Sequence, residues 1–95
     1  MGSTVMMLDQ TIEECAELIM ACEKLKRNIV PGNPTPITKD EAIASVTEEI
    51  ADVNVCMVKV MMELNISAGD VVDTMRWKAM RAQERMEGSD VSHCE

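Results

Sequence analysis

Two stretches of this chain set carboxylates at matching intervals inside apolar sequence: IEECAEL at residues 12–18 and TEEIADV at residues 47–53. In the first, Glu14 and Glu17 are three residues apart; in the second, Glu49 and Asp52 repeat that interval. On an α-helix such a pair lies on one side, a turn apart. Two pairs on neighbouring helices can converge as four oxygen donors, as in carboxylate-bridged metal bundles. Di-iron sites of that kind use Glu-x-x-His, and neither stretch contains histidine. The donor set therefore favours a hard cation, Mg²⁺ with Mn²⁺ as the alternative.

Glu49 carries the most weight in this expectation. At about 100° per residue it falls between Ala42, Val53 and Val60 on one side and Cys56 on the other. A carboxylate so placed is costly without a counter-charge, and no Lys or Arg in the same turn supplies one. Glu13, Glu41 and Glu48 read instead as solvated surface. A basic pattern comes later: Lys78, Arg81 and Arg85 recur at spacings of three and four on one helix face. It reads either as an ordinary basic surface toward a helix C-terminus or as a grip for an anion that the metal also binds. Acids with a metal on one side and cations on the other suit phosphoryl chemistry. Arg76 points elsewhere.

Three helices must position these groups. The first is expected over about 7–28, with Leu8, Cys15, Ile19 and Cys22 as its apolar face; Thr11 and Glu14 resemble a capping box, but the apolar pattern reaches back to Met7. Pro31, Gly32, Pro34 and Pro36 interrupt the chain in VPGNPTPI. Thr38 with Glu41 caps a second helix over about 38–64, apolar around most of its circumference. Ser67 with Asp70 caps a third over about 67–87, expected to bury Val71, Val72, Met75, Ala79, Ala82 and Met86. EGSDVSHCE, from residue 87, reads as a frayed, flexible tail over 88–95. No strand pattern emerges. The expected fold is all-α, a single-domain short helical bundle over residues 1–95.

Composition narrows the classes. Ten Met, one Trp and no Phe or Tyr suit aliphatic helix packing. So much apolar material in 95 residues points to a core completed by a second copy, a homodimer or homotetramer. The net charge of −8 argues against polymeric nucleic acid as a partner. No apolar run is long enough for a membrane span. The four cysteines lack metal-site spacing; buried free thiols and a reducing, cytoplasmic setting are expected.

The two acidic motifs, Glu13-Glu14-Cys15-Ala16-Glu17 and Glu48-Glu49-Ile50-Ala51-Asp52, followed by Lys78-x-x-Arg81, resemble the MazG-like all-α nucleoside triphosphate pyrophosphohydrolases from about Leu8 to Arg85. The resemblance implies Glu14, Glu17, Glu49 and Asp52 as Mg²⁺ ligands, with Glu14 or Glu17 as the catalytic proton acceptor. It implies Lys78 and Arg81 on the substrate phosphates and hydrolysis of a (deoxy)nucleoside triphosphate to monophosphate and pyrophosphate by a homo-oligomer. Trp77 reads as a packing anchor or a stacking platform. The related phosphoribosyl-ATP pyrophosphatases carry an aromatic-histidine pair after the second motif, where this chain has Val53, Asn54, Val55 and Cys56, which disfavours that activity. A non-catalytic helical oligomer that binds a partner protein is the alternative from another class.

Overall fold

A computed structural model describes residues 2–31 and 35–92. The elements are α1 (Gly2–Ile29), α2 (Lys39–Glu63) and α3 (Ala68–Ser92), and no strand occurs among the described residues. The chain divides into two units, Met1–Leu64 and Asn65–Glu95.

In the first unit α1 and α2 form an antiparallel hairpin, fixed at both ends by side chains. At the closed end, the Asn28 amide donates to the Ile37 carbonyl at 2.7 Å and to the Thr35 hydroxyl at 3.2 Å. At the open end, the Thr4 hydroxyl donates to a Glu63 carboxylate oxygen at 2.7 Å. Gly32, Asn33 and Pro34 of the proline-rich connection lie outside the described residues. The expected Thr38 cap is complete. The Thr38 hydroxyl accepts from the Glu41 N–H at 3.1 Å, and Glu41 accepts from the Thr38 N–H at 2.8 Å. That hydrogen bond holds the Glu41 carboxyl below its ordinary range. Glu41 is thus exposed and also the second half of the expected cap.

The helices meet along a seam whose buried and half-buried positions alternate by three and four residues. On α1 these are Thr4, Met7, Thr11, Glu14, Leu18, Ala21, Leu25 and Asn28; on α2, Ala42, Val46, Glu49, Val53, Cys56 and Val60, with Met61 half-buried next to Val60. This is the heptad spacing of a two-helix coiled coil. Small residues set its closest approach: Ala42, Cys56 and Ala21 are the buried core. The seam corrects the expected packing face of α1. Leu8 and Ile19 are exposed, as are Cys15 and Cys22, so of the three cysteines described only Cys56 is buried. The physical reason is that half of the α1 seam is polar, and hydrophobicity points roughly a quarter turn away from it. Cys94 lies outside the described residues.

Helix limits differ from expectation at two ends. α1 begins at Gly2 because Thr11 is no cap: its hydroxyl donates back to the Met7 carbonyl at 2.9 Å, an interior helix bond. α3 runs on to Ser92, past the tail expected from residue 88. Glycine costs a helix interior only about 1 kcal/mol, and no proline follows Gly88 to stop it. Residues 93–95 lie outside the described residues. Between α2 and α3, Asn65 turns the chain at φ 55°, the left-handed conformation that asparagine tolerates after a helix end. The Ser67 hydroxyl then accepts from the Asp70 N–H at 3.3 Å, starting α3. In the second unit Val71 is half-buried, while the rest of the expected stripe (Val72, Met75, Ala79, Ala82 and Met86) is exposed. No helix among the described residues is long and apolar enough to cross a membrane.

Candidate metal centre

The antiparallel register brings the two acidic motifs face to face. Three residues forward on α1 is matched by three residues back on α2, so Glu14 opposes Asp52 and Glu17 opposes Glu49. One carboxylate oxygen from each of Glu14, Glu17 and Glu49 lies within 4.8 Å of the others. Oxygens sharing an octahedral Mg²⁺ stand about 3–4 Å apart, so modest side-chain rotation closes the set. Asp52 is outside this triplet, but its carboxyl reaches hydrogen-bonding range of Glu14 and repels both Glu14 and Glu49. Glu13 and Glu48, expected as solvated surface, are exposed.

Glu14 and Glu49 differ from ordinary surface acids in two respects. Both occupy seam positions, and in each Oε2 is buried with no hydrogen-bond partner. A desolvated oxygen left unpaired is unfavourable in either protonation state and most so when charged. Both carboxyls are consequently pushed above the ordinary carboxylate range. For Glu14 the causes in order are desolvation, then repulsion by Glu17, Asp52 and Glu13, and the close Asp52 carboxyl. For Glu49 they are desolvation, then repulsion by Glu17, Asp52 and Glu14, and the close Glu17 carboxyl. Every charged neighbour that acts on the pair is itself acidic. The donors are all oxygen and two of them carry orphaned atoms, features that a hard divalent cation, if bound, would satisfy together.

A groove of about 270 Å³ continues from this cluster along the hairpin, lined by Glu17, Met20, Ala21, Lys24, Ser45 and Glu49. Lys24 and Ser45 are absent from the sequence-based set. Their positions are legible afterwards: Lys24 lies two turns beyond Glu17 and Ser45 one turn before Glu49, on the same sides of their helices. Lys78 and Arg81 are exposed on α3, in the second unit. The Arg81 guanidinium sits 5.2 Å from the centre of the Trp77 ring, within cation–π range. Trp77 is 55% exposed; it carries Arg81 rather than anchoring a core.

Comparison with models of known protein families, with characterised proteins and with solved structures finds no match.

The shifts fix a sign for pH dependence. A carboxyl whose pKa is raised by folding stabilises the fold below its unfolded pKa, and that contribution is lost as pH rises through the folded value. Glu14 and Glu49 are of this kind; Glu41 is the reverse, its contribution lost only as pH falls below the ordinary range. With divalent cations chelated, the melting temperature is therefore expected to rise as pH falls toward the ordinary glutamate value of about 4.3, and to fall again below it. The double variant Glu14→Gln, Glu49→Gln should flatten the first limb. An unchanged first limb in that variant assigns the effect to the overall negative charge instead.

Proposed function

We propose that this chain is a Mg²⁺-dependent, MazG-like nucleoside triphosphate pyrophosphohydrolase that acts as a homo-oligomer, with Mn²⁺ able to replace Mg²⁺. The observation that carries this reading is the convergence of Glu14, Glu17 and Glu49 across the α1–α2 seam, two of them with buried, unpartnered oxygens. An ordinary acidic surface does not bury carboxylate oxygens. The resemblance of both motifs and of Lys78-x-x-Arg81 supplies the reaction class.

In this reading Glu14, Glu17, Glu49 and Asp52 hold the cation, which when bound supplies Lewis acidity to the triphosphate and lowers the pKa of a coordinated water. Glu14 or Glu17 takes the proton of the attacking water. Glu17 is exposed and so open to substrate. Water oxygen bonds to the α-phosphorus, the bond to the bridging oxygen of the β-phosphate breaks, and pyrophosphate departs. Lys78 and Arg81 neutralise the departing charge; Trp77, stacked on Arg81, limits the orientations that guanidinium samples.

Assembly is supported by the apolar residues left in solvent on both helices of the hairpin. These include Ile12 and Ile19 on α1 and Ile50, Val58 and Met62 on α2, the last 78% exposed. The same surface favours the second reading, a non-catalytic module that binds a partner protein. Sedimentation velocity at micromolar concentration should give a dimer or tetramer; a stable monomer contradicts the assembly.

Incubation with a panel of nucleoside triphosphates and Mg²⁺ separates the readings. Pyrophosphate and monophosphate are the expected products. Orthophosphate release points to a phosphatase, and no turnover with any divalent cation favours the binding module. Glu49→Gln should lower turnover by orders of magnitude. Without metal it should be at least as stable as wild type, and it should gain less melting temperature from added Mg²⁺. Equal Mg²⁺-induced gains in the two proteins remove Glu49 from the site.

A further inference from the structure

The groove beside the carboxylates has a graded chemistry. Glu17 and Glu49 close one end, Met20 and Ala21 supply an apolar stretch, and Lys24 and Ser45 add polar donors. Lys24 follows Glu17 by seven residues, about 10 Å of helix axis. Among the described residues the Lys24 ammonium forms neither an ion pair nor a hydrogen bond, although the chain is strongly acidic. Ser45 is similarly free. The hydroxyls of Thr11, Thr47 and Thr74 are each spent on the carbonyl four residues back, the usual fate of a hydroxyl inside a helix.

Phosphate is a poor occupant for this groove. Two acids flank it, one lysine is its only cation, and part of its wall is apolar. At about 270 Å³ it also falls short of the roughly 300–1,000 Å³ typical of pockets that enclose a whole ligand. The uncharged, flat end of a nucleotide fits better: a base ring against Met20 and Ala21, with its edge toward Lys24 and Ser45. An ammonium group only donates hydrogen bonds, and a hydroxyl can donate as well. The edge that suits both carries carbonyl oxygen. Guanine O6 and the O4 of thymine and uracil meet that need, whereas adenine and cytosine present amino groups there.

We propose that this groove seats the nucleobase of the substrate and that Lys24, assisted by Ser45, selects keto bases over amino bases. The proposal rests on the pyrophosphohydrolase reading and adds its substrate class. Lys24 is a specificity residue here, separate from the cation ligands.

The test is calorimetric titration of the full chain with the non-hydrolysable α,β-methylene triphosphates of guanosine, uridine, adenosine and cytidine, in Mg²⁺. Wild type is expected to bind the guanosine and uridine analogues about tenfold more tightly than the other two, the scale of one hydrogen bond to a charged donor. Lys24→Met should shrink that gap to under about twofold, and Lys24→Glu should reverse it, because a carboxylate accepts from amino groups. The Mg²⁺-induced rise in melting temperature, measured on each variant, reports that the fold and the cation site are intact. Four equal affinities in wild type, a preference for adenosine or cytidine, or a keto preference that survives Lys24→Met overturns the assignment of Lys24 and leaves the hydrolase reading standing. Failure of wild type to bind any analogue overturns the hydrolase reading, and the base assignment falls with it.

Discussion

Glu14 and Glu49 lose solvation where α1 meets α2, and every charged neighbour that shifts either of them is itself a carboxylate. This desolvated acidic layer shapes the rest of the hairpin. A seam of alternating three- and four-residue steps would normally carry aliphatic side chains throughout. Here the middle of the seam is given over to acids, and the contacts that hold it closed are displaced toward the ends. Asn28 bridges to Ile37 at one end and Thr4 to Glu63 at the other. Ala21, Ala42 and Cys56 let the backbones approach closely on both sides of the acidic layer. Placing charge in a seam weakens a structure unless something recovers the cost, and a divalent cation recovers it for several carboxylates at once.

The same arrangement explains why the hairpin exposes so much apolar surface. With acids and threonines in the seam, Leu8, Ile12 and Ile19 of α1 turn outward, as do Ile50 and Val58 of α2. A hydrophobic face left over in this way is ordinary for a subunit and unusual for a monomer. The seam of α1 therefore separates two surfaces. The groove with Met20 and Lys24 flanks one side of it, and the apolar face with Cys15, Ile19 and Cys22 flanks the other.

Much of this was legible in the residues themselves. The capping box at Thr38 and Glu41 locates the start of α2, and the wheel position of Glu49 among Ala42, Val53, Cys56 and Val60 is the seam of the structure. What misled was α1. Its seam holds Thr4, Thr11, Glu14 and Asn28, so a search for the most apolar face finds Leu8, Cys15, Ile19 and Cys22 instead. Polar residues in a seam carry no hydrophobic signature, and only the partner helix reveals them. Thr11 misleads similarly, since a threonine that bonds back to Met7 has the same spacing to a glutamate as one that caps. Lys24 and Ser45 escaped because each is an unremarkable polar residue until the register of the two helices sets both on one groove.

In the proposed reading, Glu14, Glu17 and Glu49 form a cation site before any nucleotide arrives. Electron paramagnetic resonance of Mn²⁺ titrated into the chain, without nucleotide, tests it most directly, because free hexaaquo-Mn²⁺ gives a sharp signal that broadens on binding. Wild type should remove free Mn²⁺ saturably, Mg²⁺ should compete for the same site, and the Glu14→Gln, Glu49→Gln variant should lose that binding while a Glu13→Gln, Glu48→Gln variant of identical net charge keeps it. Equal Mn²⁺ uptake by the two double variants, or none by wild type, would remove the cation site from the seam.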